Sequence, residues 1–194
     1  MFLTSINDLK MKTLVVNKKS KWLIDTSHSE IGFKVKHLMI SNIRGVFKEF
    51  EASITSTGED FLTAELELVI NANSIFTNCK KRDEHLKSAD FFDVLNHKEI
   101  NFSANYYKVM DSDKASELFG YLTIKGITKQ IKLDVEFGGI KIDLSGVEKA
   151  GFSVKGNINR KNWGLNWNST LNGGEAIISN DVNIHCDIQL IKEV

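Results

Sequence analysis

The sequence predicts an all-β chain: one antiparallel sheet of about eight strands, closed into a barrel and decorated by one or two short helices. Three observations lead there. Apolar and polar residues alternate with period two along most of the chain. Turn residues (Gly58, Gly138-Gly139, Gly146, Asn172-Gly173-Gly174, Asn180-Asp181) interrupt that alternation at short intervals. No linker, repeat or proline-rich stretch divides the 194 residues, and proline is absent altogether. A long twisted sheet tends to curl, and closure removes its exposed edges, which favours a barrel. The alternation by itself also fits a two-sheet sandwich.

The elements follow in order. Residues 1–20 are mixed and polar-interrupted, and they read as a flexible leader before a domain at 21–194. Asn7, Asp8, Lys10 and Lys12 break up any apolar run of signal-peptide length, so a cytoplasmic protein is expected. Ile31, Phe33 and Val35 alternate with charged or small residues. The same holds for Leu62–Ala72, Ile100–Tyr106, Ile131–Phe137, Ile140–Leu144 and Val182–Leu190. Each run gives a pleated strand one apolar and one wet face. Weaker runs at Val46–Ser56, Leu118–Lys125 and Ala150–Asn159 complete the set. Thr77–Ala89 is charged, lacks alternation and suits a short helix capped by Thr77 or Asn78. A second helix or turn is expected at His37–Asn42.

Composition narrows function. Lys plus Arg and Asp plus Glu are 25 each, a formal charge of zero, which argues against nucleic acid or an anionic membrane as main partner. No window approaches a membrane span. Cys79 and Cys186 read as free thiols. The five histidines have no metal-ligand spacing, so no metal and no cofactor is expected. Phosphate loops and nucleophile elbows are absent. Arg82-Asp83-Glu84-His85 reads first as a solvated helix face. Lys155, Arg160 and Lys161 beside Trp163 and Trp167 read as exposed strand-end anchors. No catalytic residue stands out.

A barrel of about eight strands is either filled by its own side chains or holds one small ligand. The candidate inward faces carry no recurring charge, which favours a dry core or an apolar ligand over chemistry. Phe91 and Phe92 suit either a cover over the barrel mouth or a plug.

Trp22–Phe50, Lys81–Val94, Gly120–Lys129, Ala150–Gly164 and Gly174–Ile184 resemble, in order, five blocks of the YceI-like family, covering nearly everything from Lys21 onward. The family usually has Pro where Lys98 and Gln130 stand here. The resemblance implies an extended, lipocalin-like antiparallel barrel whose members bind polyisoprenoids or fatty-acid derivatives in the lumen and often pair as homodimers. On that basis Phe33, Val35, Leu66, Leu68, Phe102, Leu133, Val135 and Ile184 are expected to form the lipid-binding wall. Phe91 and Phe92 are then the lid, and Arg82 and His85 the head-group rim. The expected function is binding of such an amphiphile for carriage, storage or sequestration, without stable membrane insertion. The alternatives are an enzyme using His85, Asp83 or His28 on a similar amphiphile, and a cavity-free interaction protein.

Overall fold

The computed structural model describes residues 19–57, 61, 63–109, 115–170 and 176–193. Among these residues eleven strands form one continuous antiparallel sheet that closes on itself. They are β1 (Lys19–Ile24), β2 (Glu30–His37), β3 (Ser41–Phe47), β4 (Phe50–Thr57), β5 (Glu65–Asn71), β6 (Ile75–Phe76), β7 (Glu99–Val109), β8 (Ala115–Ile124), β9 (Ile127–Ile142), β10 (Glu148–Asn159) and β11 (Ile178–Lys192). Among the described residues one α-helix, α1 (Lys80–Lys87), lies between β6 and β7, and short 3-10 turns follow β5 at Ala72–Ser74 and β10 at Arg160–Trp163.

The sheet makes a closed eight-stave barrel. β1 and β2 lie along the same edge of β11 and form one interrupted stave; β3 with β4, and β5 with β6, form two more. Closure comes from β1 against β11, where Trp22, Leu23 and Ile24 pair with Lys192, Ile191 and Leu190. A half-buried carboxylate holds the break between β1 and β2. Asp25 accepts from Ser27 Oγ, from Gln189 Nε2 at 2.9 Å, and from the His28 ring at 2.9 Å. The Ser27 hydroxyl, followed by the Gln189 amide and the His28 ring, holds its carboxyl well below the usual carboxylate range.

The inward faces pack into two apolar clusters. At one end, Trp22, Ile54, Phe61, Ala64, Ala150 and Leu190 are buried together. The Phe61 ring meets Trp22, Phe137 and Phe152 at 5.2, 5.8 and 5.0 Å. Aromatic rings thus seal that end. The other end is bordered by α1, by the β2–β3 hairpin, and by Arg160, Leu165, Trp167 and Ile177.

Several expectations need correction. The first eighteen residues of the leader lie outside the described residues, but Lys19 and Ser20 already pair with Thr57 and Ser56, so the barrel starts before Lys21. The helix is confined to Lys80–Lys87, with Cys79 rather than Thr77 or Asn78 at its N-cap and no side chain capping it. At His37–Asn42, where a helix or a turn is expected, the turn is found: residues 38–40 form a hairpin turn with Leu38 and Met39 at φ of 51° and 58°. Ile142 and Leu144 continue the alternation but are exposed, because β9 is sixteen residues long and its hairpin outruns the barrel rim.

Candidate functional site

The sealed cluster fills only part of the lumen. Toward the α1 end lies a cavity of about 630 Å³, inside the range of about 300–1,000 Å³ that small-molecule sites occupy. Its wall comes from alternate residues of the strands: Ile31, Phe33 and Val35 on β2, Leu68 and Ile70 on β5, Phe102 on β7, Leu122 and Ile124 on β8, Leu133 on β9, and Val182, Ile184 and Cys186 on β11. Each follows from the period-two patterning that turns one face of a strand inward.

Glycines help keep this space open. Phe33 lies opposite Gly45 on β3, and a Cβ at Gly45 would collide with the Phe33 ring. The Phe102 ring covers Gly120, and Leu133 covers its cross-strand partner Gly156, in the same way. These bulky side chains lie against the wall because the neighbouring residue has no side chain.

The mouth is polar and built by α1. Asp83 in its first turn is buried and accepts from the Thr77 backbone N–H at 2.9 Å and from the Thr77 hydroxyl. Arg82 donates to Thr77 Oγ1 at 2.8 Å and to the Thr77 carbonyl at 2.6 Å. This network pins the helix to β6. Asp83 is therefore a structural anchor and not part of a solvated face. His85 pairs with Asp90 at 2.9 Å and meets the rings of Trp167 and Phe91 edge-on at 4.6 and 5.1 Å. Phe92 packs against Phe47 at 5.9 Å.

Of the residues expected at the site, Phe33, Val35, Leu68, Phe91, Phe92, Phe102, Leu133, Ile184, Arg82 and His85 all border the cavity. Leu66 and Val135 do not. Each lies two residues along its strand toward the sealed end, Leu66 from Leu68 and Val135 from Leu133, and each packs into the filled core. His28, Asp83 and His85 do not converge: His28 is bound to Asp25 between β1 and β2, and Asp83 faces Thr77. Both cysteines are free, and burial pushes the Cys186 thiol up to about 11, keeping it protonated at neutral pH.

Sequence reasoning misplaced Arg160 and Trp163. They are 3% and 2% exposed, not surface anchors. Trp163 Nε1 donates to the Leu122 carbonyl at 3.0 Å. Arg160 Nε donates to the Ser179 carbonyl at 3.0 Å, and Nη1 donates to the carbonyls of Leu165 and Trp167, the latter at 2.8 Å. Its guanidinium ties these three carbonyls together, and Arg160 is one of the residues that border the cavity. The only signal available was a lone arginine at the end of a strand, in a polar neighbourhood that resembled surface.

A YceI-like domain model matches residues 22–190. The chain belongs to the YceI-like family. It is 36% identical over 171 residues to UPF0312 protein SAS2572 of Staphylococcus aureus, covering 88% of this chain and 96% of that protein. The crystallised YceI protein of Campylobacter jejuni is 32% identical, with a TM-score of 0.69 over 88% of this chain and 96% of that one. A domain from Saccharophagus degradans described as polyisoprenoid binding, and implicated in plant cell wall breakdown, superposes with a TM-score of 0.61. It covers 89% of this chain and 98% of that one; at 14% identity, this likeness establishes the shared fold alone. Among the described residues of the YceI-like chain, no helix is long and apolar enough to cross a membrane, and no cluster of His, Cys, Asp and Glu has metal-site geometry.

Proposed function

We propose that this YceI-like protein binds a long-chain amphiphile, a polyisoprenoid or fatty-acid derivative, with its tail in the barrel cavity, for carriage, storage or sequestration. The observation that carries this reading is a cavity of about 630 Å³ whose strand-borne wall is apolar, closed at one end and bordered by polar side chains at the other. Such a shape matches a molecule with a long oily part and one polar terminus. Each methylene taken up contributes about 0.8 kcal/mol, so a tail of about fourteen carbons offers on the order of 11 kcal/mol gross, before ordering costs that remove a large share. Phe33, Val35, Leu68, Phe102, Leu133 and Ile184 are the proposed wall, Phe91 and Phe92 the lid, and Arg82 and His85 the rim. The description of the S. degradans domain as polyisoprenoid binding agrees with this reading; the cavity carries its weight.

The test is a solvent extract of protein purified from its native host, analysed by mass spectrometry, together with uptake of a fluorescent fatty acid. The expected result is a stoichiometric amphiphile in the extract and saturable uptake. Neither appearing would overturn the proposal.

A further inference from the structure

We infer that the bound amphiphile carries an anionic oxygen head group, a carboxylate or a phosphate, and that the Nη2 hydrogens of Arg160 bind it just inside the barrel mouth. This rests on the reading that the lumen takes the tail. Arg160 is 3% exposed. Its Nε and Nη1 donors are satisfied by the backbone carbonyls of Ser179, Leu165 and Trp167. Its Nη2 has no partner, and it is the one buried side-chain nitrogen or oxygen in that position among the described residues. A guanidinium stays charged and offers five donors. Leaving two of them buried and unpaired is costly unless something accepts from them.

The charge around the cavity points the same way. The whole chain is formally neutral. Yet the described residues that border the cavity include three cations, Lys81, Arg82 and Arg160, and no Asp or Glu. The strands supply none of these cations; they come from α1 and from the turn that follows β10. All therefore flank the polar end. Arg160 is tied to that end through Trp167, whose carbonyl accepts from Nη1 while its ring meets His85. An anion seated there would complete the donor set of Arg160 and set a full negative charge against the guanidinium, which a neutral head cannot do.

The experiment loads the full chain with neutral diphenylhexatriene and displaces it with palmitate, hexadecyl phosphate or hexadecanol, three ligands of equal tail length. Palmitate or hexadecyl phosphate should displace the dye at about tenfold lower concentration than hexadecanol, the scale of a hydrogen bond to a charged group. The tighter of the two acids identifies the head class. Arg160→Gln should bring the favoured acid to parity with the alcohol, whereas Arg160→Lys should keep part of the preference. Equal displacement by all three on the unaltered chain overturns the head-group inference and leaves the tail reading standing. No dye uptake and no displacement overturns the tail reading itself. A preference that survives Arg160→Gln overturns the assignment to Arg160. Should Arg160→Gln fail to fold, the unaltered chain with carboxyl-¹³C palmitate decides. The bound carboxyl should titrate about one pH unit lower than in a neutral site, and an unshifted or raised value overturns the inference.

Discussion

The two ends of the barrel are made from the same strands and behave differently. At one end the rings of Trp22, Phe61, Phe137 and Phe152 pack against one another, tilted or edge-on, with centroids 5.0 to 5.8 Å apart. At the other, phenylalanines of similar size leave about 630 Å³ open. Side-chain volume does not explain the difference. At the sealed end a loop residue, Phe61, drops between the strand rings and fills the space. At the open end Phe33 and Phe102 lie over Gly45 and Gly120 and hug the wall. Whether an eight-stave barrel is solid or hollow is thus decided by where the small residues sit, as much as by the large ones.

The contrast can be broken from either side. The largest effect is expected at the plug. Trp22→Ala removes a 3% exposed ring and its hydrogen bond to Ser56. It should cost about 3–5 kcal/mol in urea unfolding and should leave the affinity of the folded fraction for palmitate nearly unchanged. Gly45→Ala attacks the hollow end. The new Cβ pushes the Phe33 ring into the lumen, which should cost about 2 kcal/mol and reduce the longest tail accepted, measured by displacement with fatty acids of graded length.

Asp25 tests the seam between the halves, where β11 changes partner from β2 to β1. Its carboxyl titrates lower in the folded state than in the unfolded one, so its contribution is full above the unfolded pKa near 4 and fades as pH falls below it. Asp25→Ala should destabilise by about 1–2 kcal/mol at pH 7, and the gap between variant and parent should narrow between pH 4 and pH 2 in parallel thermal melts. The smallest effect belongs to the exposed rim. Lys81→Gln should weaken palmitate binding by about twofold, an effect lost at high salt, because a solvated charge acts weakly through water.

Much of this architecture was legible from residue order. The alternation in Ile31–Val35, Ile131–Phe137 and Val182–Leu190 placed strands and their inward faces, because a half-buried strand can satisfy water and core only by alternating. Eight expected wall or lid residues border the cavity. The remainder was hidden for specific reasons. Leu66 and Val135 share a face with true wall residues, and period two says which side a residue faces, not how far along the barrel the filling stops. Phe61 precedes its strand and belongs to no periodic run, so its role in the plug left no trace. Arg160 sits among Asn159, Lys161 and Asn162, and its burial depends on three carbonyls brought together by the chain's return through Leu165, Trp167 and Ser179. Hydrogen-bond acceptors on the backbone carry no residue identity, so no pattern of letters announces them.

The aromatic seal makes the tunnel a blind alley. On the proposed function, a guest has one doorway for both arrival and departure. It would enter hydrocarbon first and leave headpiece first, so whatever collects it would meet the polar tip before the oily remainder slides free. The depth of the alley then works as a ruler: guests up to a certain length gain with every added carbon, and longer ones must leave their surplus outside.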